Sequence, residues 1–302
     1  MISIDKVYHS SLEWVVVRDD LFPFLYGGNK ARKAKEYERE LLANGYDAMV
    51  TTGGIQSNHC RAIALLAAKH HWDCHIVYHG DRERFLAEGG NAKLVRSTSA
   101  TYEFVSASEI STAMDRAMTQ FASNGKKPYY VTGGGHDLPG GIAYVNAVRE
   151  LVQVLREQGK KIDRIFLPCG TGSTQAGIIV GLYLEGLLDT EVVGISVARN
   201  KQRAMEVTTS FVIDLAKHYS ISDDNLAKKV FISDDFLFGG YEQTTPVVKD
   251  WLSEVIRSTG IIFDTTYSGK ALWGMHELIK KNNWEGDNNL FWHTGGIMNF
   301  LS

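Results

Sequence analysis

Lys30 lies in the segment Tyr26-Gly-Gly-Asn-Lys-Ala-Arg-Lys33, at the start of an expected helix. The positive end of a helix dipole disfavours a protonated ammonium, and a lysine with a lowered pKa is a good amine nucleophile for a carbonyl. The competing reading is a solvated cation in a basic helical face, because Arg32, Lys33 and Lys35 are close by. A second segment, Leu167-Pro-Cys-Gly-Thr-Gly-Ser-Thr-Gln-Ala-Gly177, runs from an apolar strand through three hydroxyls, Thr171, Ser173 and Thr174, into an apolar helix. Backbone N–H groups at such a helix start, completed by hydroxyls, bind an anion. No lysine follows the second glycine, so this is not a P-loop, and no G-x-G-x-x-G with a downstream acid marks a dinucleotide site. A phosphate monoester held without metal fits better. In Thr51-Thr-Gly-Gly-Ile-Gln-Ser-Asn-His-Cys-Arg61, Ser57 is either an N-cap or a hydroxyl for a carboxylate, and Asn58 can donate to a phenolate oxygen. Phe291-Trp-His-Thr-Gly-Gly296 is placed to close a cleft.

These segments need a scaffold that brings them together. Expected strands are 14–18, 48–52, 74–78, 102–105, 129–132, 164–168, 192–197, 230–233 and 290–293, and expected helices include 31–43, 58–70, 108–121, 142–157 and 173–187. This alternation predicts an α/β protein of two three-layer α/β/α domains with largely parallel twisted sheets. Residues 1–44 and 158–302 are expected to form the larger domain, with 45–157 as a smaller insert and 157–163 as the return. Glycine loops follow strands at 53–54, 133–135, 170–172 and 295–296. Ligands bind beyond the carboxyl ends of strands in open α/β sheets, so the loops are expected to share one cleft.

The 302 residues are 44% hydrophobic and 22% charged, with a net charge of −3. The lack of a basic excess argues against a nucleic-acid partner. No apolar run reaches membrane-spanning length, and the first residues lack a signal-peptide pattern. Three scattered cysteines, Cys60, Cys74 and Cys169, suggest a reducing cytoplasm rather than a disulfide framework. His70, His71, Cys74, His75 and His79 crowd one segment, but metal ligands must converge, and a helix end followed by a strand gives no reason for these to do so. No metal site is expected.

In their order and spacing, the GGNK, QSN, GTGST and HTGG segments resemble the fold-type II (tryptophan-synthase-β-like) pyridoxal-phosphate (PLP) enzymes of the 1-aminocyclopropane-1-carboxylate deaminase/D-cysteine desulfhydrase group. The resemblance implies that Lys30 forms the Schiff base and moves the Cα proton. It implies a cofactor phosphate held by Gly170, Thr171, Gly172, Ser173 and Thr174 with Lys33 nearby, Asn58 on the cofactor 3′-oxygen and Thr294 beside the ring. Gln56, Ser57, Asn58 and His59 would contact a small amino-acid substrate, with Ser57 also catalytic by assisting proton transfer. Tyr241 and Tyr267 match the two active-site tyrosines of the group, and a cytoplasmic homodimer is implied.

Two positions separate the branches. Ser268 follows the second tyrosine where the cyclopropane deaminases typically carry glutamate, and His59 follows Ser-Asn where they typically carry glutamine. Both departures point to α,β-elimination on D-cysteine, giving pyruvate, hydrogen sulfide and ammonia, with Ser268 set near the cofactor ring. The cyclopropane amino acid, yielding 2-oxobutanoate and ammonia, is the alternative substrate. A non-catalytic nucleotide-binding module, leaving Lys30 idle, is the reading from another class. The Gly-Gly-Ile-Met-Asn-Phe ending departs from the small-residue and proline pattern usual after His-Thr-Gly-Gly, and the loop 133–141 has no assigned role.

Overall fold

The computed structural model describes residues 2–223 and 225–302. In chain order the strands are β1 (Ile4–His9), β2 (Leu12–Arg18), β3 (Ala48–Gly54), β4 (Asp73–His79), β5 (Thr101–Phe104), β6 (Pro128–Tyr130), β7 (Arg164–Cys169), β8 (Glu191–Ser196), β9 (Phe231–Ser233) and β10 (Asn289–His293). The helices are α1 (Gly28–Asn44), α2 (Asn58–His70), α3 (Arg82–Ala87), α4 (Gly90–Arg96), α5 (Ile110–Ser123), α6 (Leu138–Glu157), α7 (Ser173–Leu184), α8 (Lys201–His218), α9 (Pro246–Thr259), α10 (Ser268–Asn282) and α11 (Ile297–Phe300). Every strand expected from the sequence is present, with ends shifted by no more than two residues.

Two sheets organise the molecule. One has the order β1-β2-β10-β7-β8-β9 and the other β5-β4-β3-β6. All pairings are parallel except β1 with β2. That antiparallel edge was not legible in the sequence. Ser10 and Ser11 form its two-residue hairpin with φ of 50° and 66°, a conformation usually announced by Asn-Gly. Helices cover both faces of the larger sheet: α6, α7 and α8 share one core cluster with it, and α9 and α10 share the other. Helix α6, grouped by the sequence reading with the insert, turns Ala147, Val148 and Leu151 into the core of the larger sheet. The smaller sheet has its own cores, with α1, α2 and α4 on one side and α5 on the other. No helix among the described residues is long and apolar enough to cross a membrane.

Candidate active site

A buried aspartate sets the start of α1. Asp19 accepts from Arg32 Nε (2.8 Å) and Nη2 (2.7 Å), from the Trp292 indole (3.0 Å) and from the Tyr144 hydroxyl. This ties α1 to α6 and β10, because a buried carboxylate is stable only when its acceptor sites are filled. Arg32 and Lys33 are both buried, so the segment is not a solvated basic face. The turn before the helix is equally constrained. Gly27 has φ 75° and ψ −178°, a region essentially open to glycine alone, and an added Cβ would fall 2.1 Å from the Asp20 carbonyl oxygen. Asn29 N–H donates to the Thr294 carbonyl (2.9 Å), stitching the helix start to the end of β10.

Lys30 lies one residue further on, half-buried at a cavity of about 440 Å³ between the two sheets. Its Nζ donates to the Gly134 carbonyl (2.7 Å), and burial lowers its pKa to about 8. Lys33, fully buried behind it, donates to Ser173 Oγ (2.6 Å), Gly135 O (3.2 Å) and Gly134 O (3.3 Å). Burial first, then the charge of Lys30, drive Lys33 well below the usual lysine range. The loop 133–135, unassigned from sequence, thus supplies the carbonyls that receive both amines.

Opposite runs the loop after β7. Gly170, Thr171, Gly172 and Thr174 line the cavity. Gly172 takes φ 88°, and α7 begins beyond it with no side-chain cap, leaving first-turn N–H groups for an anion. Open space lies where Gly170 would carry a side chain. Ser173 is buried behind the wall, donating to Gly135 O (2.9 Å). Asn29 donates to Thr174 Oγ1 (3.3 Å), and Arg199 donates to Gly170 O (2.9 Å). An uncapped helix start, two hydroxyls and the Arg199 guanidinium at Gly170 fit the phosphate of pyridoxal phosphate, with Lys30 available to its aldehyde.

The smaller sheet supplies the other wall through Ser57, Asn58 and His59. Ser57 caps α2, its hydroxyl accepting from Cys60 N–H (3.2 Å). Thr51 Oγ1 donates to Val131 O (2.9 Å), so its 2.8 Å contact with His59 Nε2 requires the proton on that nitrogen. Burial, then Lys30 and Lys33, lower the His59 pKa well below its usual value, and the ring is neutral with Nδ1 as its acceptor. Gln56 is buried and does not line the cavity; its Nε2 donates to Glu88 (2.8 Å) and its Oε1 accepts from Asn91 N–H (3.0 Å).

Tyr241 and Tyr267 line the cavity and share a hydroxyl–hydroxyl hydrogen bond. Burial raises both above the usual phenol range, so each is a neutral O–H. Thr294 also lines the cavity. Ser268 does not: it is fully buried, its hydroxyl donating to Asp264 Oδ1 (2.6 Å). Sequence reasoning missed Arg199, His79 and Thr52 as lining groups, whereas Gly133 and Gly134 line the cavity as the shared-cleft expectation had them. Arg199 was findable, because it follows the carboxyl end of a parallel strand. In the histidine-rich segment, His70 bonds Glu38 (2.7 Å) while His75 bonds Thr101 (2.8 Å), so the two engage separate partners.

A family model described as pyridoxal-phosphate dependent enzyme matches residues 8–295. The chain is 31% identical over 297 residues to the mitochondrial bifunctional D-cysteine desulfhydrase/1-aminocyclopropane-1-carboxylate deaminase of Arabidopsis thaliana, covering 94% of this chain and 72% of that one. It is 31% identical over 286 residues to the 1-aminocyclopropane-1-carboxylate deaminase of Rhizobium rhizogenes, covering 90% and 82%. A crystallised ACC deaminase homologue superimposes with a TM-score of 0.87 at 29% identity, covering 99% of this chain and 90% of its own. With its sequence matched over residues 8–295, and with Lys30 lining the same cavity as the loop after β7, this chain belongs to the family of pyridoxal-phosphate-dependent enzymes.

Proposed function

We propose that the protein is a PLP-dependent lyase that removes a β-substituent and ammonia from a small amino acid, with D-cysteine as its substrate. The observation that carries this reading is one cavity lined by Lys30, the Gly170–Thr174 loop, Ser57, Asn58 and two neutral tyrosines. Bound PLP supplies an electron sink that acidifies the α-proton of an attached amino acid. The residues then divide the work. Gly170, Thr171, Gly172, Ser173 and Thr174, backed by Lys33, bind the phosphate. Lys30, its pKa lowered to about 8, holds the cofactor and takes the α-proton as a neutral amine. Asn58 would donate to the cofactor ring oxygen, and Thr294 would lie on the ring's side of the cavity. Ser57 and the 53–57 loop hold the substrate carboxylate, and neutral His59 offers an acceptor to the substrate. Tyr241 and Tyr267 deliver a proton to the departing group, being O–H donors throughout the neutral range. Gln56 acts from behind the wall, by shaping the loop.

The cyclopropane amino acid is the second reading, favoured by the deaminase names of both relatives. His59 favours D-cysteine, whereas Ser268, bonded to Asp264 away from the wall, no longer discriminates. The PLP-loaded protein should be incubated separately with D-cysteine, L-cysteine, D-serine and the cyclopropane amino acid. D-cysteine should yield sulfide, pyruvate and ammonia in equal amounts, one water being consumed. Release of 2-oxobutanoate from the cyclopropane substrate with no sulfide from D-cysteine overturns the D-cysteine reading. A cytoplasmic homodimer belongs to the same proposal, and light scattering at a doubled chain mass supports it.

A further inference from the structure

The unusual ending Gly-Gly-Ile-Met-Asn-Phe has a place in the fold. The turn α11 seats on the start of α4, where Gly90 leaves the room: an added Cβ would lie 2.5 Å from the Met298 carbonyl oxygen and 2.9 Å from Ser302 Cβ. This brings Asn299 to Asn58 at the cavity wall and to Asn91, which is fully buried. Asn299 Oδ1 accepts from Asn58 Nδ2 (2.7 Å) and Asn91 Nδ2 (3.0 Å). Asn299 Nδ2 donates to the Gln56 carbonyl (3.1 Å). Asn91 Nδ2 also lies 3.1 Å from the Gln56 carbonyl and 3.1 Å from Asn58 Oδ1, so its two hydrogens are shared among three acceptors.

The orientation of an amide side chain follows from its partners, and here the series ends on a group that cannot turn. The Gln56 carbonyl only accepts, so Asn299 must offer it the NH₂ end. That turns Asn299 Oδ1 toward Asn58 and obliges Asn58 to offer NH₂ in return. With the Asn58 amide reversed, oxygen would meet oxygen at Asn299 and NH₂ would meet NH₂ at Asn91. One Asn58 hydrogen goes to Asn299, and the second is left for the cavity that Asn58 lines.

We propose that Asn299 is the positioning residue for Asn58: it locks that amide with a donor, not an acceptor, available to the cofactor. The inference rests on the reading of Asn58 as the donor to the cofactor ring oxygen. It assigns the divergent C-terminal segment a task at a site that otherwise belongs to the strand-end loops.

The test is a double-mutant cycle read by PLP affinity and by the pH midpoint of the bound cofactor's visible absorption band. Asn58→Ala should weaken PLP binding about tenfold, the scale of one charge-assisted hydrogen bond, and move the midpoint. Asn299→Ala should weaken binding about three- to tenfold with a midpoint change of the same sign, and Asn299→Leu, which keeps the size but offers Asn58 no acceptor, should do likewise. The double alanine variant should match Asn58→Ala within about twofold, because coupled residues are not additive. Thermal melting of each apoprotein verifies folding, and Asn299→Leu keeps the cycle informative where the alanine variant does not fold. Multiplying effects in the double variant, or wild-type affinity and midpoint in both Asn299 variants while Asn58→Ala departs, overturn the positioning role alone. No change in Asn58→Ala overturns the reading of Asn58 itself, and the inference with it.

Discussion

The two walls of the cavity are built differently. On the larger sheet the chain is held by backbone and burial: Gly27 lies against Asp20, Asn29 N–H bonds Thr294 O, and Arg32 is sealed on Asp19. On the smaller sheet the wall is held by side chains reaching side chains. Gln56 bonds Glu88, Glu88 pairs with Arg84, and Arg84 reaches Glu242 across the cleft (3.3 Å), next to Tyr241. Arg84 is half-exposed. Close backbone packing has few alternative arrangements, whereas a network of long polar side chains can be retuned one residue at a time. On the function proposed above, this difference gives the cofactor the more closely packed wall and leaves substrate preference to be tuned from the other side.

Lys30→Ala should have the largest effect: covalent PLP disappears and turnover falls by roughly 10³-fold or more, checked by borohydride trapping with peptide mapping and by product release. A label elsewhere, or none in the parent protein, removes the functional assignment. Gly27→Ala tests the rigid wall. Its glycine-only conformation and the Asp20 overlap predict a destabilisation of about 2–4 kcal/mol, measured by denaturant unfolding; a loss below about 0.5 kcal/mol would show that this wall yields after all.

Lys30 also sets a pH dependence. Its amine is neutral above about 8 rather than 10.5, so PLP attachment to the apoprotein should speed up roughly five- to tenfold from pH 7 to 9 and then level off. In the unfolded chain the same lysine keeps its proton to higher pH, so it also makes apoprotein stability rise with pH between those two values. A stopped-flow rate still climbing about tenfold per pH unit beyond pH 9 would contradict the lowered pKa. The smallest effect is expected from Arg84→Ala, which breaks a screened, half-exposed link: KM should rise less than about threefold with kcat unchanged. A large fall in kcat would mean that the network also places Tyr241.

The strand–loop–helix order, the lysine after Gly-Gly-Asn, the hydroxyl-rich anion loop and the Ser-Asn helix start were legible in the residues, because alternation, glycine punctuation and capping are local. The fate of Ser268 was missed: the resemblance set it near the cofactor ring, but Asp264, four residues earlier, is a buried carboxylate that accepts its hydroxyl. Lys33 is similar: written in a basic run, it is buried because α1 lies against the 133–135 turn.

The amino-acid order alone specified which segments carry chemistry and that they sit at strand ends, since short-range conformational preferences are written in neighbouring residues. Only the tertiary structure decided that the 133–135 carbonyls receive both lysines, that Arg199 joins the wall made by the loop after β7, and that the last turn meets Asn58. Those contacts join residues 101, 29 and 241 positions apart, and at such separations packing, not local pattern, selects the partner.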